Sequence, residues 1–146
     1  MKIRECMSRD VKIASPDQSI QDAARLMGEI DAGVLPVGEN DRLVGMLTDR
    51  DITVRAVAKG RGPETQVREV MSREIRYCFE DDDLQSAAEN MSELKVRRLP
   101  VLDRDKRLVG IVSLGDIARG EHDHHHAGSA LEGISRPGGE HSQSMH

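Results

Sequence analysis

The sequence predicts a mixed α/β (α+β) fold in which one β-α-β-β-α unit of roughly fifty residues occurs twice. Two observations predict it: three short segments recur in the same order, and the apolar residues between them repeat the same periodicity. The recurring segments are Met7-Ser8-Arg9, Leu35-Pro36-Val37 and Leu43-Val44-Gly45, which return as Met71-Ser72-Arg73, Leu99-Pro100-Val101 and Leu108-Val109-Gly110. A unit of that size is too small to bury a secure core alone, so we expect the copies to pack on each other with pseudo-two-fold symmetry.

The elements of the first copy follow in order from their residue patterns. Residues 11–14 alternate apolar with polar or small side chains before a Pro-Asp turn, which is typical of a short strand. Residues 20–27 place apolar side chains at i, i+3, i+4 and i+7, which predicts a helix. Two strands over 34–37 and 43–47 come next, and a second helix rich in Val and Ala begins near Ile52.

The second copy repeats this order. Its predicted elements are a strand over 75–78, a helix over 84–91, strands over 99–102 and 108–112, and a short helix over 117–119. Ser19 and Asp83 directly precede the two longer helices, where an N-cap residue is expected.

Composition shifts set the domain boundaries. We expect a first repeat over 1–59, a linker over 60–66, a second repeat over 67–120 and a flexible His-rich tail over 121–146. The linker is marked by Gly and Pro. The tail contains His, Gly, Ser and Glu with little periodicity, so we expect no third structural element there.

The overall charge and composition exclude several functions. A net charge of −5 gives no general attraction to nucleic acid or to an anionic membrane. One Tyr, one Phe and no Trp leave few platforms for stacking bases. No apolar run is long enough to span a bilayer, and the charged start lacks the apolar core of a secretory signal, so we expect a cytoplasmic protein. Cys6 and Cys78 have no CxxC spacing and are expected to be ordinary thiols.

Each copy ends with the pattern Gly-x-x-[Ser/Thr]-x-x-Asp, which brings Thr48 near Asp51 and Ser113 near Asp116. The hydroxyl falls where a strand passes into a helix, beside backbone N–H groups that can receive an anion. The aspartate suits the two hydroxyls of a ribose. The same spacing is also that of a helix capping box, which needs no ligand, and one side chain can serve both roles.

This ordered duplication over about residues 1 to 120 resembles the cystathionine-beta-synthase (CBS) domain family, in particular its small stand-alone bacterial members. The resemblance implies a Bateman module that binds an adenosine-containing ligand, such as AMP, ADP or ATP, in the cleft between the copies. It implies a regulatory sensor that signals to a partner protein in trans, a role for the Thr or Ser and the Asp in contacting the sugar and nearby phosphate, and a homodimer formed through the helices.

The candidate ligand site has further residues. The first strand of each copy offers an apolar slot for adenine with adjacent basic residues, and the Leu-Pro strands form the opposite walls by analogy with the family. Arg97 and Arg98 occur only in the second copy, where the first has Gly33 and Val34, so the two sites are expected to differ in affinity. The candidates beyond the hydroxyl and aspartate motifs are Lys12, Ile13, Ala14, Val34, Leu35, Pro36, Arg76, Tyr77, Cys78, Arg97, Arg98, Leu99 and Pro100.

Two alternatives to a nucleotide sensor remain. A ligand-free module for dimerisation and protein interaction needs neither site. An enzyme is disfavoured because the chain has no nucleophile elbow, no P-loop lysine motif and no histidine before residue 122, and no catalytic cofactor is expected. The histidines can bind Zn²⁺ or Ni²⁺, but a solvated tail without a dedicated metal site is the favoured interpretation. They are His122, His124, His125, His126, His141 and His146.

Overall fold

The computed structural model describes residues 1–120 and 125–136, which form two compact units. The N-unit comprises Val11–Arg76 and Lys106–Leu108, and the C-unit comprises Met1–Asp10, Tyr77–Asp105 and the described residues from Val109 onward. The compact units therefore differ from the sequence repeats, because the segment that opens each repeat joins the unit built on the other repeat.

The N-unit is built around an antiparallel hairpin. Its elements are α1 (Ile20–Ile30), β1 (Val34–Glu39), β2 (Arg42–Thr48) and the single turn α2 (Asp49–Asp51), which continues as a π-helical turn, Ile52–Ala56, and a 3₁₀ turn, Val57–Lys59. Asn40 and Asp41 connect the strands with φ of 54° and 63°, the signature of a two-residue type I′ turn. The strand predicted at residues 11–14 is reduced to one parallel bridge between Ala14 and Val37.

The C-unit contains a three-stranded sheet with helices packed on it. Its elements are a 3₁₀ turn (Ile3–Glu5), β3 (Cys78–Phe79), α3 (Leu84–Leu94), β4 (Arg98–Leu102), β5 (Leu108–Ser113), α4 (Leu114–Gly120) and α5 (His125–Ser135). The strand order is β3-β4-β5, with β3 parallel to β4. The predicted strand over 75–78 thus begins only at Cys78. The α/β class and the repeated order of elements are confirmed.

Each unit is completed by the opening segment of the other repeat. In the C-unit, Ser8 pairs with Ile111 of β5 through two backbone hydrogen bonds of 2.8 and 2.9 Å. In the N-unit, Ser72 pairs with Met46 of β2 through bonds of 2.8 and 2.9 Å. These pairings join residues far apart in sequence, and the periodicity of either repeat does not reveal them.

Aliphatic side chains, Met and Ala fill both cores, as the scarcity of aromatic residues requires. The N-unit core consists of Ala14, Ile20, Ala23, Met27, Leu35, Val37, Leu47, Ala56, Val67, Val70 and Met71. The C-unit core consists of Ile3, Met7, Cys78, Leu84, Ala87, Ala88, Met91, Leu99, Val101, Val112, Ile117, Ala127 and Ala130. The predicted cap of α1 is confirmed, since Ser19 Oγ accepts a 3.1 Å hydrogen bond from the Asp22 N–H. Asp83 occupies the N-cap position of α3 without a side-chain capping bond, and its carboxylate lies 3.4 Å from Lys2 Nζ.

The helix α5 corrects the expectation of a tail without structural elements for residues 125–135, and the prediction for 121–124 and 137–146 lies outside the described residues. It packs on α3 and α4, with Ala127 and Ala130 buried. Gly133 lies so close to α3 that an added Cβ would fall 1.9 Å from Ser92 Oγ. Small residues three positions apart let the helices approach closely, but their low hydrophobicity gives a weak periodic signal in sequence. Among the described residues, no helix has the length and apolar character to cross a membrane.

Candidate functional site

The hydroxyl-x-x-aspartate motif of the N-unit lies at the end of β2. Thr48 Oγ1 accepts a 3.0 Å hydrogen bond from the Asp51 N–H, and Asp51 Oδ2 accepts a 2.9 Å bond from the Thr48 N–H. Thr48 is extended and Asp51 lies in the following turn, so the strand-to-helix passage itself brings the two side chains together. The first repeat therefore forms a complete capping box.

The C-unit builds the same arrangement at the end of β5. Ser113 Oγ accepts from the Asp116 N–H at 3.0 Å, and Asp116 Oδ2 accepts from the Ser113 N–H at 2.8 Å. Both hydroxyl groups act as acceptors here, so each retains its own O–H as a donor. The capping interpretation holds in both repeats, and it leaves donor and acceptor capacity for a ligand.

Arginines that sequence reasoning missed contact both motif carboxylates. Arg55 Nε lies 3.8 Å from Asp51 Oδ1, and Arg119 Nη2 lies 2.5 Å from Asp116 Oδ1. The signal was present in the sequence, because the spacings i,i+4 and i,i+3 put oppositely charged side chains on one helix face. Each aspartate thus uses one oxygen for the capping box and turns the other towards a cation.

The predicted Leu-Pro walls are core residues. The side chains of Leu35, Pro36, Leu99 and Pro100 are buried in their units. Only Val34, which lies directly opposite Thr48 across the hairpin, is partly accessible on that side. A ligand beside Thr48 would therefore contact Val34 rather than the Leu-Pro side chains.

The segments predicted to hold adenine also contain both buried and accessible side chains. Ala14 and Cys78 are buried, whereas Ile13 is 42% exposed and Tyr77 is half-buried. The Tyr77 ring packs edge-to-face with Phe79 at 5.5 Å between ring centres. Ile13 and Tyr77 are consequently the side chains of these segments that remain available to an apolar ligand.

The predicted basic residues occupy different electrostatic settings. Arg97 is exposed and Arg98 is half-buried, and neither has an ion pair within the described part of the chain. Arg76 lies 3.3 Å from Glu74, which offsets its charge, and Lys12 is exposed. Arg97 and Arg98 are therefore the predicted cations whose charge no neighbouring carboxylate offsets.

Two free thiols lie in the C-unit. Burial, followed by the carboxylates of Asp116 and Glu5, raises the pKa of Cys6. Burial, with smaller contributions from Asp82 and Cys6, raises the pKa of Cys78 to about 12. Cys6 thus lies within electrostatic reach of the Asp116 motif, whereas Cys78 is a core residue.

Within residues 1–120 and 125–136, no group of three or more His, Cys, Asp or Glu side chains is placed to hold a metal ion. Four of the six histidines, His122, His124, His141 and His146, lie outside the described residues. The backbone of His125 and His126 begins α5.

Comparison with known proteins gives a consistent match to both repeats. A family model described as the CBS domain matches residues 3–57 and again residues 67–123. The CBS domain-containing protein YhcV of Bacillus subtilis is 44% identical over 133 residues, which cover 91% of this chain and 94% of that protein.

Solved structures share the fold. Hypoxic Response Protein I, determined with two coordinated zinc ions, is 39% identical with a TM-score of 0.76, and the match covers 84% of this chain and 100% of that one. CBSX2 in complex with AMP is 28% identical with a TM-score of 0.71, over 82% of this chain and 94% of that one. The CBS domain pair of MJ0100, in complex with 5′-methylthioadenosine and S-adenosyl-L-methionine, is 29% identical with a TM-score of 0.70 over the same shares.

Proposed function

Because this chain belongs to the CBS domain family, we propose that it is a regulatory module that binds an adenosine-containing ligand and signals to a partner protein in trans. The observation that carries the proposal is the pair of hydroxyl-x-x-aspartate motifs, formed with the same hydrogen-bond geometry in both units. The bound ligands of CBSX2 and MJ0100 support the adenosyl class.

The motif chemistry fits such a ligand. The O–H of Thr48 or Ser113 donates to a ligand oxygen, while the carboxylate of Asp51 or Asp116 accepts from ribose hydroxyls. Ribose would compete with Arg55 or Arg119 for the second carboxylate oxygen. Binding therefore exchanges an internal contact for a ligand contact, and a ligand that favours one arrangement shifts the population towards it.

The proposal includes a homodimer that presents this change to the partner. Val57 is 67% exposed and Val54 is 43% exposed on the turns that follow the Thr48 motif. Apolar side chains at this spacing form a surface that a second copy can cover. Analytical ultracentrifugation of the full chain with and without AMP tests this part of the proposal.

A ligand-free interaction module is the second candidate function. It is favoured by the completed capping boxes, because each side chain already accepts a hydrogen bond from a backbone N–H. Thr48 and Asp51 do so for each other in the N-unit, and Ser113 and Asp116 do so in the C-unit. On this alternative the motifs stabilise strand-to-helix junctions and no adenosyl compound binds.

A thermal-shift screen of the full chain with adenosine, AMP, ADP, ATP, NAD and S-adenosylmethionine distinguishes the two candidates. A ligand specific for the folded state adds about 2.7 kcal/mol to the unfolding free energy at 100 times its Kd. The sensor predicts a rise in Tm for at least one adenosyl compound, and the rise is reduced in Asp51→Ala or Asp116→Ala. No rise with any of the six supports the interaction module.

A further inference from the structure

The two motifs differ in charge around one pair of structurally equivalent residues, Gly33 in the first repeat and Arg97 in the second. In the N-unit, the Asp49 N–H donates to the Gly33 carbonyl at 2.9 Å; in the C-unit, the Leu114 N–H donates to the Arg97 carbonyl at 2.8 Å. Asp49 and Leu114 each follow the motif hydroxyl residue directly. The matching hydrogen bonds fix Gly33 and Arg97 as counterparts in space as well as in sequence.

In the first repeat, the carboxylate of Asp49 fills the space that corresponds to the first carbon atoms of the Arg97 side chain. A Cβ added to Gly33 would lie 2.7 Å from Asp49 Oδ2 and 3.1 Å from its carboxyl carbon. The Asp49 side chain therefore lies directly over Gly33, in the space where the Arg97 side chain begins in the second repeat. An acidic group thus replaces a basic one beside the motif.

The next position widens this difference. Val34 lies directly opposite Thr48 in the hairpin register, and residues paired across strands point to the same face. Its sequence counterpart is Arg98, beside the Ser113 motif. An apolar residue thus stands opposite the first hydroxyl residue, and an arginine holds the corresponding sequence position in the second repeat, directly after Arg97.

Arg50 does not restore positive charge to the first motif. It follows Asp49 directly in the sequence, so the formal charges of an acidic and a basic residue cancel there. The corresponding residue of the second motif is Gly115, and neither Arg97 nor Arg98 has an ion pair among the described residues. The second motif is the more cationic of the two.

We propose that the two motifs select different classes of adenosyl ligand. The Ser113 motif takes a phosphorylated one such as AMP, because the guanidiniums of Arg97 and Arg98 match phosphate oxygens. The Thr48 motif takes an uncharged or cationic one, such as 5′-methylthioadenosine or S-adenosylmethionine, because Gly33 and Val34 replace the two arginines there and the Asp49 carboxylate over Gly33 attracts a sulfonium. This inference rests on the proposed function and adds a ligand class to each motif.

Isothermal titration calorimetry of the full chain with AMP and S-adenosylmethionine tests it. We expect both to bind, and saturation with one to leave a site for the other, so that two ligands occupy each chain when both are present. Displacement of one by the other at a shared site would overturn the inference while leaving the proposed function intact. If neither AMP nor S-adenosylmethionine bound, both this inference and the proposed function would be overturned.

Two substitutions that preserve the capping boxes sharpen the test. Arg98→Val, which installs the residue of the first repeat, should lower the ratio of AMP affinity to S-adenosylmethionine affinity by about tenfold. Asp49→Leu, which installs the residue of the second repeat, should raise that ratio by a similar factor.

Charge-matched controls on α1 are Arg25→Ala and Glu29→Gln, which lie outside both motifs and should leave the ratio as in the parent. A ratio that responds equally to Arg98→Val and Arg25→Ala would show that only the net charge matters and would overturn the assignment. The same holds for equal responses to Asp49→Leu and Glu29→Gln.

Discussion

Arg55 holds its guanidinium 3.8 Å from Oδ1 of Asp51, the carboxylate that the proposed function assigns to ribose. Through Nη1, the same guanidinium also donates to the carbonyl oxygens of Val70 and Met71, at 3.4 and 3.3 Å. These carbonyls follow the 3₁₀ turn Val67–Glu69, which opens the second repeat. One side chain therefore connects the candidate ligand site of the N-unit with the segment that leads into the next repeat.

Arg55→Ala should lower the free energy of unfolding by about 0.5–1.5 kcal/mol, because the Val70 and Met71 carbonyls lose a charged donor. Urea denaturation measures the effect. Arg119→Ala is the matched control, since the Arg119 guanidinium pairs with Asp116 in its own helix and an exposed ion pair of this kind adds little stability. Equal losses in the two variants would contradict the bridging role of Arg55.

Gly110→Ala should destabilise the protein by about 1–3 kcal/mol, because the added methyl group would force β5 away from the segment that contains Met7 and Ser8. An added Cβ would lie 2.6 Å from Met7 Sδ and 2.9 Å from the Ser8 carbonyl oxygen, and the backbone atom cannot rotate away. Thermal or urea unfolding gives the size of the loss.

The control for this variant is Gly28→Ala in α1, where a new Cβ meets nothing within 4 Å. It should stabilise the chain by about 0.5–1 kcal/mol, since alanine favours a helix interior over glycine. If Gly110→Ala were neutral, the opening segment would not be packed against β5 as described.

Gly133→Ala should loosen α5 from α3, because the Cβ would fall 2.9 Å from Ser92 Cβ and 3.1 Å from its Cα in addition to the clash with Oγ. Hydrogen exchange of α3 amides should accelerate as the cover is lost. Gly128→Ala on the same helix meets nothing within 4 Å and should not accelerate exchange. Similar exchange in both variants would show that α5 does not depend on the contact with Ser92.

The thiol of Cys78 should make stability fall at alkaline pH. Its pKa is about 12 in the folded chain, against an ordinary value near 8.5 for an unfolded cysteine. Because the folded value is higher, the protonated thiol contributes its full stability below the unfolded pKa, and this contribution is lost as pH rises from about 8.5 towards 12. Comparing unfolding of the parent and Cys78→Ala across this window measures the effect, and parallel curves would contradict it.

Local patterns predicted much of the fold. Ser19 caps α1, and the apolar spacing places α1 and α3, because these interactions join residues within four positions. The Thr48 and Ser113 boxes are equally local, since each side chain bonds a backbone group three residues away. Nothing local indicated that the strand over 11–14 would shrink to one bridge at Ala14, because the length of a strand depends on its partner.

The candidate site likewise contains features that local sequence predicts and features that depend on distant residues. Its hydroxyl and aspartate residues were read from spacing alone, as was the presence of Arg97 and Arg98 in only the second repeat. The position of Asp49 over Gly33 was not, since it depends on a hydrogen bond between residues sixteen positions apart in sequence. The Leu-Pro residues, which the family resemblance places in a ligand wall, have side chains buried in the cores, and only the packing of the units shows this.

The sequence by itself determined that one α/β unit occurs twice, where its two longer helices, α1 and α3, begin, and which family it belongs to, because these features depend on hydrogen bonds and apolar contacts between residues close together in sequence. The shorter helices begin at Asp49 and Leu114, three residues before their predicted starts. Only the tertiary structure decided that each opening segment completes the other repeat's unit, that α5 covers α3, and that the Asp49 side chain lies over Gly33, the counterpart of Arg97. Those outcomes depend on close approach between distant parts of the chain. Small residues such as Gly33, Gly110 and Gly133 permit that approach. Because glycine has no side chain, it adds nothing to the apolar or charge pattern from which such a contact could be predicted.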